Sequence, residues 1–264
     1  MGRINPQVYG LNYADVERDP SLESKLRDLI TSAATHLDKA RMIRFNQRTG
    51  DLNITDLGRT ASHFYIKYDT VEIFNELIQP YMNEASILAM MSQAQEFHQL
   101  KVRDDEMDEL DDLTSTYCEV AVRGGSENVH GKVNILMQTY LSRGFVKSFS
   151  LVSDLSYITQ NAVRIARALF TIMLRKNDAI LAGRVLDISK MFEKQMWKAE
   201  TPLRQFPNIG HDIIEKIENR GLSILTLREM DDKEIGQILR NQKYILFKNK
   251  YIKNYYFVFQ GMGV

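Results

Sequence analysis

The spacing of apolar residues predicts a chain that is built mainly from α-helices. Leucines recur at helical spacing over residues 21–43, with Ser21 as the expected N-cap. Over residues 42–55 apolar and polar side chains alternate on both sides of a Thr-Gly turn, which indicates a small β-hairpin. Two more helical segments follow before Pro80. We therefore predict a winged-helix domain over residues 1–80.

From residue 83 onwards the periodicity is helical throughout. The pattern predicts five helices, at 83–97, 104–117, 130–143, 151–176 and 179–197. They indicate a helical bundle domain over residues 81–198. After the break "AETPLRQFP", two short helical modules joined near Gly221 predict a helix-hairpin or helix-loop-helix unit over residues 199–242.

The last segment, residues 243–264, fits none of these patterns. It is dominated by Lys, Asn, Ile, Tyr and Phe, and it has neither helix caps nor a clear period. We treat it as an atypical tail. Two interpretations stay open: translated intron or other out-of-context sequence, and a natural amphipathic or β-forming tail.

Composition limits the classes of partner. The chain has 264 residues with 34 Lys+Arg and 34 Asp+Glu, so a global field that attracts nucleic acid is absent and such binding would need local charge separation. Cys118 is the single cysteine, which excludes an intramolecular disulfide and fits a reducing compartment. No apolar run approaches the ~20 residues that span a bilayer. We expect no membrane partner and a location in the nucleus and cytosol.

The sequence lacks the motifs that would indicate nucleotide hydrolysis or metal-dependent catalysis. The phosphate-binding sequence G-x-x-x-x-G-K-[ST] is absent, and the five histidines are too far apart to indicate a helical zinc site. The acidic run "DDEMDELDD" at 104–112 lacks the glycine turn of a calcium loop and is predicted to be a solvated helix face. We expect no catalytic residue, no metal and no cofactor in this chain.

The segment 154–177 carries the most informative candidate site. At 100° per residue, four polar side chains lie within about 60° of Gln160 on one side of the predicted helix: Arg164, Arg167, Thr171 and Arg175. Arginines at this spacing can follow a phosphate backbone or stack on bases. An ordinary solvated face is the alternative, and spacing alone favours it.

A second candidate is the turn Ile209-Gly210-His211, which precedes a predicted helix. Gly210 and His211 would present backbone N–H groups to a phosphate at the positive end of that helix. A plain glycine-containing connection between helices explains the same residues. Trp197 and Phe206 are expected to be core anchors.

Five blocks of the sequence resemble a known family: "NPQVYGL" (5–11), "LGRTASHFYIKYDTVEIFN" (57–75), "DLSYITQNAVRIARALF" (154–170), "KQMW" (194–197) and "PLRQF" (202–206). They look like the region that follows the second motor domain in large superfamily-two helicases with paired cassettes. That group includes the spliceosomal RNA helicase and the helicase subunit of the activating signal cointegrator complex, to which the acidic segment is especially similar. The resemblance covers residues 3–242.

The resemblance implies a winged helix, a bundle with a long "ratchet" helix, and a helix-hairpin unit, the last two forming the Sec-sixty-three homology region. It implies that residues 154–176 are the ratchet helix and that Gln160, Arg164, Arg167 and Thr171 face a single strand. ATP and magnesium would bind only to RecA-like motor domains, which this chain lacks, so a fragment or truncated isoform is expected. Gln195 departs from the basic residue common in the family, which leaves a phosphate contact there in doubt.

The expected function is thus a non-catalytic nucleic-acid-guiding module of an ATP-dependent 3′–5′ helicase. Its expected partners are single-stranded nucleic acid and the motor domains or other complex subunits. The alternative is a protein-interaction scaffold in a helicase-containing coactivator, repair or ribosome-quality-control complex. The residues do not distinguish RNA from DNA.

Overall fold

A computed structural model describes residue 7, residues 12–206 and residues 208–239. The predicted tail at 243–264 lies outside the described residues. Within them the fold is helical with one two-stranded antiparallel sheet, so the predicted mainly α class with a small hairpin is confirmed. The first elements are α1 (Tyr13–Arg18), α2 (Glu23–Lys39), β1 (Ile43–Phe45), β2 (Leu52–Ile54), α3 (Asp56–Phe64) and α4 (Tyr68–Leu77).

The hairpin sits directly against α3. Ile43 pairs with Ile54, and the turn between the strands uses Gly50 at φ +76°, a conformation that glycine adopts without strain. A Cβ atom on Gly58 would lie 1.9 Å from the carbonyl oxygen of Met42, so the close approach of α3 to the residue before β1 requires glycine there. This local arrangement agrees with the predicted winged-helix unit, whose identity and limits stay a prediction.

The bundle follows. Its elements are α5 (Glu84–Met91), a 3-10 turn (Gln95–Phe97), another (Asp104–Glu106), α6 (Met107–Tyr117), α7 (Val129–Leu141), α8 (Phe149–Arg175) and α9 (Ala179–Lys194). Helix α8 has 27 residues and is therefore about 40 Å long. It packs along α9, and α3 and α7 also contact it. The predicted long helix is present, and it begins two residues earlier than the apolar pattern indicated.

One continuous core joins the hairpin unit to the bundle. Phe74 on α4, Phe97 and Phe192 on α9 are all fully buried members of it. Trp197 is 7% exposed, and its indole N–H donates to Ser142 Oγ at 2.7 Å, so the predicted anchor is confirmed. The predicted domain division at residue 80 stays a prediction, and the core extends across that position.

A second, separate core supports the C-terminal unit. It is formed by a 3-10 turn (Pro202–Gln205) with α10 (His211–Glu218), α11 (Ile224–Glu229) and α12 (Asp232–Leu239). Phe206 packs against this core as predicted. No helix among the described residues is long and apolar enough to cross a membrane.

A buried ionic cluster lies where α7 meets the beginning of α8. Lys132 Nζ is fully buried and lies 2.6 Å from Glu106 Oε2 and 2.7 Å from Asp154 Oδ2. Arg103 and Ser150 also donate to Glu106, the latter at 2.6 Å. We name these five residues the buried ionic cluster. The prediction that the acidic run is a solvated face was wrong at Glu106, because a cation on a neighbouring helix makes its burial favourable.

Candidate nucleic-acid interface

The candidate interface is the solvent-facing side of α8. The opposite side is buried in the first core through Ile158, Ile165 and Leu169, which are all inaccessible to solvent. Such a one-sided apolar stripe fixes the rotation of the helix about its axis. Gln160 consequently projects to solvent, as the spacing predicted.

Arg167 is the exposed arginine in the middle of this side. Its guanidinium donates to Glu193 Oε2 on α9 at 2.6 Å, and its side chain is still 51% exposed. Thr171, one turn further along, is half-buried and donates from Oγ1 to the carbonyl oxygen of Arg167. The ion pair holds Arg167 in place without covering it.

Arg164 is less exposed than the spacing of 100° per residue suggested. It is half-buried, and its Nη2 donates to Asn161 Oδ1 at 2.5 Å. Asn161 in turn donates to the carbonyl oxygen of Tyr157 at 2.8 Å. The Nε atom of Arg164 is buried and has no hydrogen-bond partner, so this atom is not accessible to a ligand at the surface.

Arg175 ends the stripe and connects α8 to the hairpin unit. Its Nη1 lies 2.5 Å from Asp56 Oδ1, in the first turn of α3, and its side chain is 36% exposed. The structure thus places all five predicted α8 residues along one side of the helix. Two of the three arginines, Arg167 and Arg175, are paired with carboxylates of neighbouring helices.

The N-terminal end of α8 is held firmly. Both carboxylate oxygens of Glu109 accept from the backbone N–H of Ser148, the residue before the helix, and one also accepts from that of Lys147. Ser150, the second residue of α8, donates from Oγ to Glu106. The first helical residue, Phe149, is 87% exposed. Rigid anchoring of this end sets the direction of the whole helix.

The buried ionic cluster controls the ionisation of its central acid. Burial by itself raises the pKa of Glu106, but hydrogen bonds from Lys132, Ser150 and Arg103 outweigh it and lower the pKa to about 2. Sequence reasoning missed this cluster. The available signal was Lys132 in "GKVNILM", a lysine in a segment that is mostly apolar.

Gly210 and His211 belong to the unit that is built round the second core. Gly210 is the N-cap of α10, and His211 is its exposed first residue. Asp212 follows in the same first turn. A carboxylate there already interacts favourably with the positive helix end and repels a second anion. Gly210 and His211 lie in a different unit from the α8 stripe.

Two further residues have defined surroundings. Cys118 is partly buried, and this burial raises the pKa of its thiol to about 11. Gln195 ends α9 in the left-handed conformation, and its carbonyl oxygen accepts from Arg143 Nε at 2.8 Å. Among residues 12–206 and 208–239, no group of three or more His, Cys, Asp or Glu is placed to hold a metal ion.

Comparison with known proteins identifies the family of the chain. Residues 54–245 match the model of the Sec63 Brl domain. The chain is 48% identical over 241 residues to activating signal cointegrator 1 complex subunit 3 of Gallus gallus, an alignment that covers 91% of this chain and 11% of the relative. It is 44% identical to the DExH-box ATP-dependent RNA helicase DExH14 of Arabidopsis thaliana, covering 90% and 11%.

A more distant relative is the U5 small nuclear ribonucleoprotein 200 kDa helicase of Homo sapiens, which is 34% identical over 94% of this chain and 12% of its own length. The chain therefore spans about a tenth of the relatives that it matches. These matches agree with the resemblance drawn from the residue blocks. The family model covers well over half of the sequence, so the chain belongs to the Sec63 Brl domain family found in these helicases.

Proposed function

We propose that this chain is a nucleic-acid-guiding module of an ATP-dependent 3′–5′ helicase and has no catalytic activity of its own. One observation carries the proposal: α8 exposes Gln160 and Arg167 along its outer side, while the other side is locked into the core. Relatives named as helicases support the class of parent protein. ATP and magnesium would be bound by motor domains, and the working locations would be the nucleus and cytosol.

The α8 arginines would hold a strand through its phosphates. An exposed ion pair such as Arg167–Glu193 contributes only about 0–1 kcal/mol, so exchange of the carboxylate for a phosphate is energetically easy. A guanidinium donates two parallel hydrogen bonds to phosphate oxygens. Arg164, which is half-buried and donates to Asn161, would add a weaker contact than Arg167.

Gly210 and His211 would contact the exiting strand at the N-terminus of α10. His211 is exposed, and the backbone N–H groups of the first turn are the donors available to a phosphate. Asp212 opposes such binding through its charge. We therefore assign this contact a smaller contribution than that of the α8 stripe.

Fluorescence anisotropy with a labelled single-stranded oligonucleotide, at two salt concentrations, tests the proposal. Arg167→Ala should weaken binding by about 5- to 30-fold, since a charge-assisted hydrogen bond contributes about 1.5–3 kcal/mol, offset in part by the lost ion pair. A plot of the logarithm of the association constant against the logarithm of salt concentration has a negative slope, and the magnitude of this slope should be smaller by about 0.7 in Arg167→Ala. Arg27→Ala is the matched control, because Arg27 is also an exposed arginine paired with a glutamate, and both Arg27 and its partner Glu23 lie on α2, away from the candidate interface.

A specific role for α8 is contradicted if Arg27→Ala loses as much affinity as Arg167→Ala. It is also contradicted if Arg167→Ala binds as tightly as the unsubstituted chain. Far-ultraviolet circular dichroism of each variant verifies that the helices are retained.

A second candidate function, a protein-interaction scaffold in a helicase-containing complex, is favoured by one feature of α2. Leu26, Leu29 and Ile30 are 54–61% exposed on the same face of this helix. Apolar side chains clustered on a surface are typical of protein contacts. The same titration separates the two functions, because a chain that acts only as a scaffold would bind no oligonucleotide even at low salt.

A further inference from the structure

Phe149 is an anomaly on the surface of α8. It is the first residue of the helix, and 87% of it is exposed, although large aromatic side chains normally bury most of their area. No packing need within the described chain explains an aromatic ring at this position. The side chain is held outward by a firmly anchored helix end, because Glu109 accepts from the backbone N–H of Ser148.

Phe149 lies on the same line as the polar stripe. Eleven residues separate it from Gln160, which places it about 20° from Gln160 around the axis and about 16 Å away along it. Ser153 and Ser156 lie between them and are both exposed. The exposed line therefore continues from Arg167 to the N-terminal end of α8.

The charge along this line suits a polyanion. Between Phe149 and Gln160 the sequence has one acid, Asp154, and its side chain turns inward to Lys132 in the buried ionic cluster. The remaining side chains on the line are hydroxyl or amide groups, and Lys147 is exposed just before the helix. The Glu109 carboxylate also lies at this end of α8, where it accepts from the backbone N–H groups of Lys147 and Ser148, and the exposed side chains along the line itself carry no negative charge.

We propose that Phe149 is a base-stacking platform at one end of the single-strand path on α8, an inference that rests on the proposed function. Phosphates would bind near Arg167 while a base about eight nucleotides away, at the 3.4 Å spacing of a stacked strand, lies on the phenyl ring. Stacking on an aromatic ring tolerates any base, since every base has a π-face. Binding through Phe149 therefore depends on the presence of bases and not on their sequence.

The test compares two fluorescein-labelled 12-nucleotide probes, oligothymidylate and an abasic strand with the same phosphates. Phe149→Ala and Phe149→Leu should both weaken binding to oligothymidylate by fivefold or more and leave binding to the abasic strand unchanged. Phe149→Trp should restore or exceed the original affinity. The leucine variant keeps an apolar side chain at this position, so it separates stacking from simple apolar contact.

The outcomes distinguish this inference from the function on which it rests. If the unsubstituted chain binds neither probe at low salt, the proposed function fails. If it binds oligothymidylate but Phe149→Ala does so equally well, or if Phe149→Leu behaves like the unsubstituted chain, the stacking role is overturned. Equal loss on both probes also overturns it, because that result shows a contribution independent of bases. The ring is exposed, so circular dichroism should be unchanged in all three variants.

Discussion

Replacing Lys132 by methionine should destabilise the chain strongly. Lys132 Nζ is fully buried among three oxygen acceptors: Glu106 at 2.6 Å, Asp154 at 2.7 Å and the carbonyl of Lys101 at 2.9 Å. Methionine fills a similar volume but leaves Glu106 with only Arg103 and Ser150 as donors. Breaking a buried ion pair from one side typically costs about 3–5 kcal/mol of unfolding free energy, and we expect a loss of that size.

The pH dependence gives a second measure of the same interaction. Because the folded-state pKa of Glu106 is lowered to about 2 from an ordinary 4.5, its contribution is fully present above pH 4.5 and is lost as the pH falls towards 2. At 1.36 kcal/mol per pKa unit the contribution is roughly 3 kcal/mol. In Lys132→Met the lowering of the pKa should be smaller, so stability should change less between pH 5 and pH 3.

Urea denaturation followed by circular dichroism measures both effects. Lys132→Met, Glu106→Gln and the double variant form a cycle, and the double variant should lose at least about 1 kcal/mol less than the sum of the single variants. If Lys132→Met does not fold, Asp154→Asn can be measured in its place. This variant removes only the second carboxylate and should lose less unfolding free energy. Arg27→Ala, at an exposed pair, should change stability by under about 1 kcal/mol.

Additive losses in this cycle would refute the reasoning. A loss below about 1 kcal/mol for Lys132→Met at pH 7 would do so as well, because it would mean that water reaches the buried ionic cluster. An unchanged pH profile in Lys132→Met would show that the lysine does not hold Glu106 ionised.

Three further outcomes are expected. Glu193→Gln should raise affinity for single strands by up to about fivefold in the anisotropy assay, because it frees Arg167 and removes a charge that repels phosphate. Gly58→Ala should cost about 1–3 kcal/mol in urea denaturation, since its Cβ would overlap the carbonyl oxygen of Met42. Cys118 should react with a thiol reagent at pH 8 roughly a hundredfold more slowly in the folded chain than in urea, because burial raises its thiol pKa from 9.0 to about 11.

Apolar periodicity predicted the helices well because most of them bury one stripe. It failed at their ends, which depend on backbone hydrogen bonds. Ser21 was predicted to be the N-cap of α2, whereas the cap residue is Leu22 and the first-turn N–H of Ser24 is accepted by Asp19. Similarly, the helix predicted over 83–97 ends at Met91 and is followed by a separate 3-10 turn.

The candidate interface could likewise be predicted only in part. The common face of the α8 residues follows from 100° per residue and could be predicted. The partners of those residues could not, because Glu193 is 26 residues away from Arg167 and Asp56 is 119 residues away from Arg175. The burial of Glu106 likewise depends on Lys132, which only the packing of α7 against α6 and the 3-10 turn before it brings near. Long-range charge pairing needs the tertiary fold.

The contacts that sequence patterns miss are the ones that keep α8 in place. Its N-terminal end is held by Glu109 and by the Ser150–Glu106 hydrogen bond, and its C-terminal end by the Arg175–Asp56 pair with α3. Between these ends, α9, α3 and α7 pack against α8 and bury its inner side. A helix fixed at both ends loses little conformational freedom when a strand binds, so a few contacts suffice for a measurable affinity. The anchoring contacts thus support strand binding without touching the strand. Substitution of Asp56 should therefore weaken the affinity for single strands in the anisotropy assay, because α8 is then held less firmly.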